Sequence, residues 1–499
     1  MKNLSFTKMA FILLAFCAAN ALAASAQTVS TLLDFNGTNG GNPDSALVQG
    51  TDGNLYGTTA NGGVSNQSIC YSGCGTFFKV TAAGTSTTLY SFCSQSNCAD
   101  GKSPGQILLA ADGNFYGITS QGGVNCQDLV NPGCGTVFEI TPAGALTTLY
   151  SFCGQTNCAD GWGPNALAQG VDGNFYGTTD AGGTGAGLDG SGTIFKITAA
   201  GVLSTIYDFC TQLSNGNCAD GALPSGMILA TNGNFYGVAS EGGGDDCGEV
   251  FEATPKGTLT VVHSYNPAQG CGGAFPQLFQ ASNGNFYGST VEGGGAGRRG
   301  MVYEMTPGGR LSEVYGFCEL PNCADGSKPN AVVQGTDGNF YGTTHGQLAE
   351  NRTTDGTVFQ LTPTGTLTTL QTFDDSNGAW PEAPLVQATN GNFYGTTNLG
   401  GTGKCGGTSC GIIFSVSMGL GPFVEASPNF GAAGRVVNIL GNNLTGTTSV
   451  TLNGTPATFS VISSTLIKAQ VPAGATSGTI EVTTPNATLS GNASFQIVP

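Results

Sequence analysis

The chain has 499 residues, only 9% of them charged, with 31 Asp and Glu against 14 Lys and Arg and a formal charge of −17. So few positive charges exclude a surface built for nucleic acid or an anionic membrane. The 82 glycines would suggest low complexity, but they fall at fixed turn positions, which excludes a disordered chain.

At the N-terminus, Lys2 and Lys8 flank an apolar stretch over residues 9–14, and small residues lead to Ala24-Ser25-Ala26 before Gln27. This predicts a secretory signal peptide over residues 1–26, too short to be a membrane anchor. The bulky Phe16 argues against a lipid anchor at Cys17. Removing Lys2 and Lys8 takes the charge from −17 to −19, and removing Cys17 leaves 16 of 17 cysteines. No later segment approaches the roughly 20 apolar residues of a spanning helix. The expectation is a monomer without membrane insertion, secreted to the exterior or associated with the cell surface.

Residues 29–35, Val-Ser-Thr-Leu-Leu-Asp-Phe, read as one isolated strand. Seven copies of one motif follow, anchored on Asp52-Gly53-Asn54-Leu55-Tyr56-Gly57 and its counterparts at 112, 172, 232, 283, 337 and 390, spaced 60, 60, 60, 51, 54 and 53 residues apart. A period of this size carried by strand-like segments signals a radial repeat. In the second copy, Ile107-Leu108-Leu109-Ala110 is strand A and Asp112-Gly113-Asn114 a two-residue hairpin turn. Phe115-Tyr116-Gly117-Ile118-Thr119 is strand B. Residues 135–141 are strand C, and residues 146–152 strand D. Each copy is a four-stranded antiparallel blade. The last copy lacks strand D and runs from strand C (411–416) into different sequence. Residues 29–35 match the missing strand, Phe35 standing where Phe152 does. The prediction is an all-β, seven-bladed β-propeller over residues 27–418, closed by its N-terminal strand on residues 412–416.

The 16 remaining cysteines of an exported chain predict disulfides. Cys93/Cys98, Cys153/Cys158, Cys210/Cys218 and Cys318/Cys323 fall in loops from strand D to the next strand A. Cys70/Cys74, Cys126/Cys134 and Cys405/Cys410 fall in B–C loops, and Cys247 and Cys271 are left to pair with each other. All these loops emerge on one face of the disc. A metal reading is disfavoured, since no C-x-x-C pair and no His accompanies them.

Residues 422–499 carry neither the period nor any cysteine. Seven short strands separated by turns such as Asn453-Gly454 predict an immunoglobulin-like β-sandwich. Ser427-Pro428, Gly441-Asn442-Asn443-Leu444, Asn453-Gly454-Thr455-Pro456-Ala457 and Val471-Pro472-Ala473-Gly474-Ala475 resemble the IPT/TIG family. That resemblance implies a spacer or adhesive module. The repeats, with their G-N-F-Y-G-T-T and G-T-V-F-x-I-T-P-x-G pairing over residues 32–417, resemble the Gloeobacter/Verrucomicrobia (GloVer) repeat family of bacteria. This resemblance implies a propeller at the cell exterior and no particular chemistry.

Candidate site residues are few. The D-G-N aspartates are replaced by Asn in three of seven copies and read as turn residues. Asp100, Asp160, Asp220 and Asp325, beside the cysteine pairs, read as ties for loop amides. Gln49, Gln169, Gln280, Gln334 and Gln387 share one position of the innermost strand and read as partners for backbone groups. His263 replaces a strand-D tyrosine. The polar cluster expected to bind a ligand is Asp180, Glu241, Glu292, His345 and Asn398, at or next to the end of strand B on the disulfide-bearing face. No nucleophile motif, phosphate loop or cofactor fingerprint is present, so neither cofactor nor catalytic residue is expected. The leading expectation is a non-enzymatic binding or adhesion protein for a glycan or another protein. The alternatives are a propeller lyase or hydrolase, with His345 and Glu292 as base and partner, and a structural matrix protein.

Overall fold

The computed structural model describes residues 27–498 except 65–69, 71, 126–133, 186–189, 215, 272–277, 347–354 and 406–407. The predicted signal peptide therefore lies outside the described residues. Helix among them is confined to three 3-10 turns, Ser96–Cys98, Thr156–Cys158 and Pro321–Cys323.

Up to Ser417 the strands form seven four-stranded antiparallel sheets, six of which are meanders of consecutive strands. The second sheet consists of Lys102–Leu109, Phe115–Gln121, Thr136–Ile140 and Leu146–Ser151. Its first strand starts five residues before the apolar run that announces it. The D-G-N turn is also longer than the two-residue hairpin expected. The Gly113 amide bonds to the Ala110 carbonyl and the Ala110 amide to the Asn114 carbonyl, which encloses three residues. Gly113 alone takes the left-handed conformation (φ +89°), as a type I turn with a following bulge requires.

The recurrent Phe-Tyr-Gly of strand B explains the packing. Alternation sends Phe and Tyr to opposite faces of a sheet, and the Tyr of each of the first six sheets meets the Phe of the next. Tyr116–Phe175, Tyr176–Phe235, Tyr236–Phe286, Tyr287–Phe340 and Tyr341–Phe393 have ring centroids 4.0, 4.4, 4.3, 4.2 and 4.1 Å apart. The glycine is obligatory because the strand-C aromatic lies on it: a Cβ on Gly117 would sit 2.5 Å from Phe138 Cζ.

The seventh sheet is assembled from both ends of the repeat region, in the order Val386–Gln387, Phe393–Thr397, Ile412–Ser417, Thr28–Asp34. The N-terminal strand runs antiparallel to Ile412–Ser417, with Val29 opposite Val416 and Asp34 opposite Ile412. Phe35 is fully buried. This sheet shares a core with the first, in which Phe35, Tyr394 and Ile413 pack with Leu47, Leu55 and Phe78.

Two hydrogen-bond series link neighbouring sheets. The glutamine carbonyls accept from the preceding sheet: Gln280 from the Thr231 amide, Gln334 from Ser282, Gln387 from Thr336 and Gln49 from Thr389 (2.8, 3.0, 3.0 and 2.9 Å). The amide before each strand-A proline also reaches back, from Ser103 to the Cys74 carbonyl, Lys328 to Arg299 and Asn42 to Cys410. In both series the seventh sheet is joined to the first as the others are joined to one another. The sheets of this propeller-like chain are thus stitched to one another, each to its neighbour.

Seven of the expected disulfides are present: Cys70–Cys74, Cys93–Cys98, Cys153–Cys158, Cys210–Cys218, Cys247–Cys271, Cys318–Cys323 and Cys405–Cys410. For the eighth, Cys126 lies outside the described residues; Cys134 is disulfide-bonded. Each loop aspartate binds amides as expected. Asp160 accepts from the Gly154 and Gln155 amides (2.9 and 3.1 Å) and from the Tyr150 hydroxyl (2.7 Å).

Beyond Pro422 two four-stranded sheets enclose a separate core of Val424, Ile439, Val450, Ile467 and Val482 among others. Asn453-Gly454 makes the two-residue turn expected of it, both residues at positive φ. The sandwich stands on the tight-turn face of the propeller. Leu440 and Leu466 enter a core cluster with Tyr56, Leu109 and Phe115. Ser427 Oγ donates to the Leu109 carbonyl, Asn438 Nδ2 to Ala111, and Thr465 Oγ1 to Thr51 (3.2, 3.1 and 2.9 Å).

Candidate functional site

On the opposite, loop-bearing side lies a cavity of about 320 Å³. Six of the seven sheets contribute to it, through residues that include Asp44, Gln106, Asn165, Met227, Ala331 and Glu382. The corresponding segment of the fifth sheet, residues 272–277, lies outside the described residues. None of the lining residues is Lys or Arg.

The polar groups gather on one side of this cavity. Glu382, in the segment that leads into the first strand of the seventh sheet, receives His345 Nε2 at 3.4 Å on one oxygen and Asn398 Nδ2 at 2.7 Å on the other. Asn398 in turn accepts Asn42 Nδ2 at 3.0 Å. His345 and Asn398 occupy equivalent positions after strand B of the sixth and seventh sheets, so an acid between those sheets reaches both. The His345 ring stacks on Trp380 with centroids 5.4 Å apart, and its Nδ1 is buried without a hydrogen-bond partner among the described residues.

Asp44 completes the group. Its side chain is open to water, yet the cavity walls surround it. Burial and the nearby Glu382 charge push its carboxyl up to about 6, against a weaker opposing bond from Ser45. A carboxyl that is exposed yet desolvated fits a narrow, water-filled cavity. Asp44 and Glu382 thus share one cavity.

Of the five residues expected to form a cluster, the structure brings two together, His345 and Asn398, through Glu382. Asp180 is exposed at the rim, with its carboxyl raised by the surrounding protein, and does not line the cavity. Glu241 and Glu292 are exposed too. They stand one residue further along than His345, which in a strand means the other face. Neither joins the group, and the His345–Glu292 pair considered from sequence is replaced by His345–Glu382. The sequence reading missed Asp44, Glu382, Asn42 and Trp380. A signal existed: the residues flanking the strand-A proline, Asn42-Pro43-Asp44 and Trp380-Pro381-Glu382, are the only copies with a carboxylate just after it. His263 is structural, its nitrogens at 3.0 Å from the Gly309 carbonyl and 3.2 Å from Gln269 Oε1.

Among the described residues, one group of ligand atoms lies close enough to share a metal ion, the sulfurs of Cys70, Cys74, Cys93 and Cys98. Two disulfides already engage them. No helix among the described residues is long and apolar enough to cross a membrane.

Comparison with known families places these features. The Gloeobacter/Verrucomicrobia repeat profile matches residues 20–156, 71–278 and 224–458, and the IPT/TIG domain profile matches residues 423–497. The chain belongs to the Gloeobacter/Verrucomicrobia repeat family and carries a C-terminal IPT/TIG domain. No curated protein matches it. Among solved structures it is similar to a fungal alcohol oxidase of the AA5 family in complex with copper, at 12% identity over 95% of this chain and 100% of that one, with a TM-score of 0.51. It is also similar to the WD40 β-propeller domain of Doa1 (10% identity, 78% and 97% of the two chains, TM-score 0.46). A third is a gluconolactonase from Xanthomonas campestris (10%, 80% and 92%, TM-score 0.37). The first is a likeness of fold alone, and the other two carry no argument about this chain.

Proposed function

We propose that this chain is an exported, seven-bladed propeller that binds a neutral polyhydroxy ligand, a saccharide, at the loop-face mouth of its channel. The ring reading is supported by the seventh sheet, which meets the first through a common core, the Gln49–Thr389 bond and the Asn42–Cys410 bond. Export is supported by the N-terminal sequence and by seven disulfides, which persist in oxidising compartments.

The observation that carries the ligand class is the cavity itself. About 320 Å³ is at the lower end of small-molecule sites and suits a mono- or disaccharide unit. Carboxylates and side-chain amides bind hydroxyl groups, while Pro104, Pro164, Ile118 and Met227 offer apolar surface for C–H faces. With no cation in the lining, an anionic ligand would leave two like charges unpaired. Glycan arrays of neutral oligosaccharides, followed by calorimetry on the best ligand, test this. Asp44→Ala combined with Glu382→Ala should weaken binding at least tenfold, about 1.4 kcal/mol, with an unchanged melting curve. A ligand indifferent to this double change overturns the assignment.

A hydrolase or lyase acting on an extracellular polysaccharide or lactone is the second reading. The raised carboxyl of Asp44 beside Glu382 favours it, because a carboxyl that keeps its proton next to a second acid can serve as a general acid. Product release from the array ligand, abolished by Glu382→Gln, would select it over binding alone.

A further inference from the structure

Strand Glu425–Ser427 of the sandwich has two faces with different duties. Val424 and Ala426 enter the sandwich core. By alternation Phe423, Glu425 and Ser427 face the propeller, as do their cross-strand partners: Leu440, opposite Glu425, packs on the propeller core, and Asn438, opposite Ser427, donates to Ala111. The two ends of this strand are pinned to different sheets. The Phe423 amide bonds to the Thr389 carbonyl of the seventh sheet at 3.1 Å, and Ser427 Oγ to the Leu109 carbonyl of the second at 3.2 Å. Four extended residues span about 13 Å, a chord from the seventh sheet to the second that passes the first.

Within the same sandwich sheet the strand order is Glu425–Ser427, Val436–Leu440, Leu466–Gln470. Leu466 and the adjoining Thr465 rest on the first sheet at Tyr56 of its second strand and at Thr51 of the turn before it. Glu425–Ser427 is the edge strand on the other side, toward the channel. Glu425, at the midpoint of the chord, is enclosed by protein on every side yet keeps partial exposure to water. That combination, shared with Asp44, marks a side chain facing an internal water-filled space.

We propose that the sandwich domain is the stopper of the propeller channel: strand Glu425–Ser427 crosses its far opening and Glu425 presents its carboxylate to the water inside. The channel is then a blind pocket, entered only from the loop face, with acids at both ends. This rests on the closed ring proposed above, and its test uses no saccharide, so it stands or falls separately from the ligand assignment.

The test is the reactivity of Glu425→Cys in the full chain, against the exposed Val461→Cys as reference. A small cationic methanethiosulfonate, able to travel the channel, should modify both. A polyethylene-glycol maleimide too large for the channel should modify Glu425→Cys at least about 100-fold more slowly than the reference, since only local opening exposes it. Equal reaction with the large reagent means no stopper; reaction with neither reagent means a dry interface rather than a channel floor. Either result overturns the proposal.

If Glu425→Cys does not fold, Glu425→Gln provides the second measurement. Asp52, Asp112 and Asp172 on the propeller turns and Arg435 and Lys468 on the sandwich are the charged groups of the elements that meet there. None of them shifts Glu425; burial alone raises its carboxyl from 4.5 to about 7. A raised carboxyl contributes stability below 4.5 that is lost as pH rises through 7. Glu425→Gln should match the wild type below pH 4.5 and melt higher above pH 7. A difference independent of pH overturns the enclosed position.

Discussion

The loops joining one sheet to the next come in two kinds. Eleven residues separate Phe92 from Pro104 and Phe152 from Pro164, and these loops carry a disulfide and a buried aspartate. Seven residues separate Phe35 from Pro43 and Phe373 from Pro381, and these loops contain no cysteine. In the short loops side chains do the holding. Asn36 Oδ1 accepts the Thr38 and Asn39 amides while Asn39 Oδ1 accepts the Asn36 amide. Asp374 and Asn377 repeat the arrangement. Both kinds give oxygen acceptors to loop amides, one with a covalent clamp and one without. Both short loops adjoin the seventh sheet. It is there that Asp44, Glu382, His345 and Asn398 gather.

The comparison is broken most severely at the seam. Phe35 and Phe152 occupy equivalent places, both fully buried, with edge contacts to Phe78 and Phe195 at 5.2 and 5.1 Å. Phe35→Ala and Phe152→Ala should each cost about 3–5 kcal/mol in urea unfolding. If Phe35→Ala costs under about 1 kcal/mol, the sheet built from two chain ends is frayed and the equivalence fails.

Next in size is a change far from the seam. Four sheets join strands B and C by a buried threonine pair, as in Thr119–Thr136 at 2.9 Å and Thr179–Thr193 at 2.9 Å. The fourth sheet has Ala239 and Glu249 instead. The Glu249 carboxylate accepts Ser264 Oγ at 2.8 Å, its second oxygen has no partner among the described residues, and burial raises it from 4.5 to about 7. The raised value means stability present below pH 4.5 and lost as pH rises through 7. Glu249→Gln should stabilise by about 2 kcal/mol above pH 7 and do nothing below 4.5, read as the difference between two melting series.

A smaller effect separates the loop types. Cys153→Ser with Cys158→Ser should cost about 2 kcal/mol by the entropy of a short loop. Asp160 should still hold the Gly154 and Gln155 amides, so hydrogen exchange there should rise less than it does in an Asp160→Ala chain. The smallest effect is Asn36→Ala, about 1 kcal/mol for exposed amide bonds. A cost equal to that of the disulfide would show that the short loops are as firmly held as the clamped ones.

Some of this was legible in the residues. The strand-B motif announced the seven sheets, because a Phe and a Tyr on opposite faces and a glycine beneath an aromatic are local needs that recur in every copy. The orphan strand at residues 29–35 announced its place in the seventh sheet by matching residues 146–152. The cysteine pairs were readable because seven of them close short local loops or leave only one other partner. The site was half legible. His345 and Asn398 stood out as polar residues at a repeated position. Asp44 and Glu382 share a place just after the strand-A proline but lie 338 residues apart in the chain, and only the fold brings them into one cavity.

Sequence alone thus determined the periodic elements, the disulfide pairs and the second domain, all of which follow from alternation, turn chemistry and short-range closure. Tertiary structure decided which polar residues share a cavity and which sandwich face meets the propeller. The reason is geometric: the seam brings the two ends of the repeat region together, and the sandwich face that docks is chosen by Leu440 and Leu466 fitting against Tyr56 and Leu109, a complementarity that no single segment encodes.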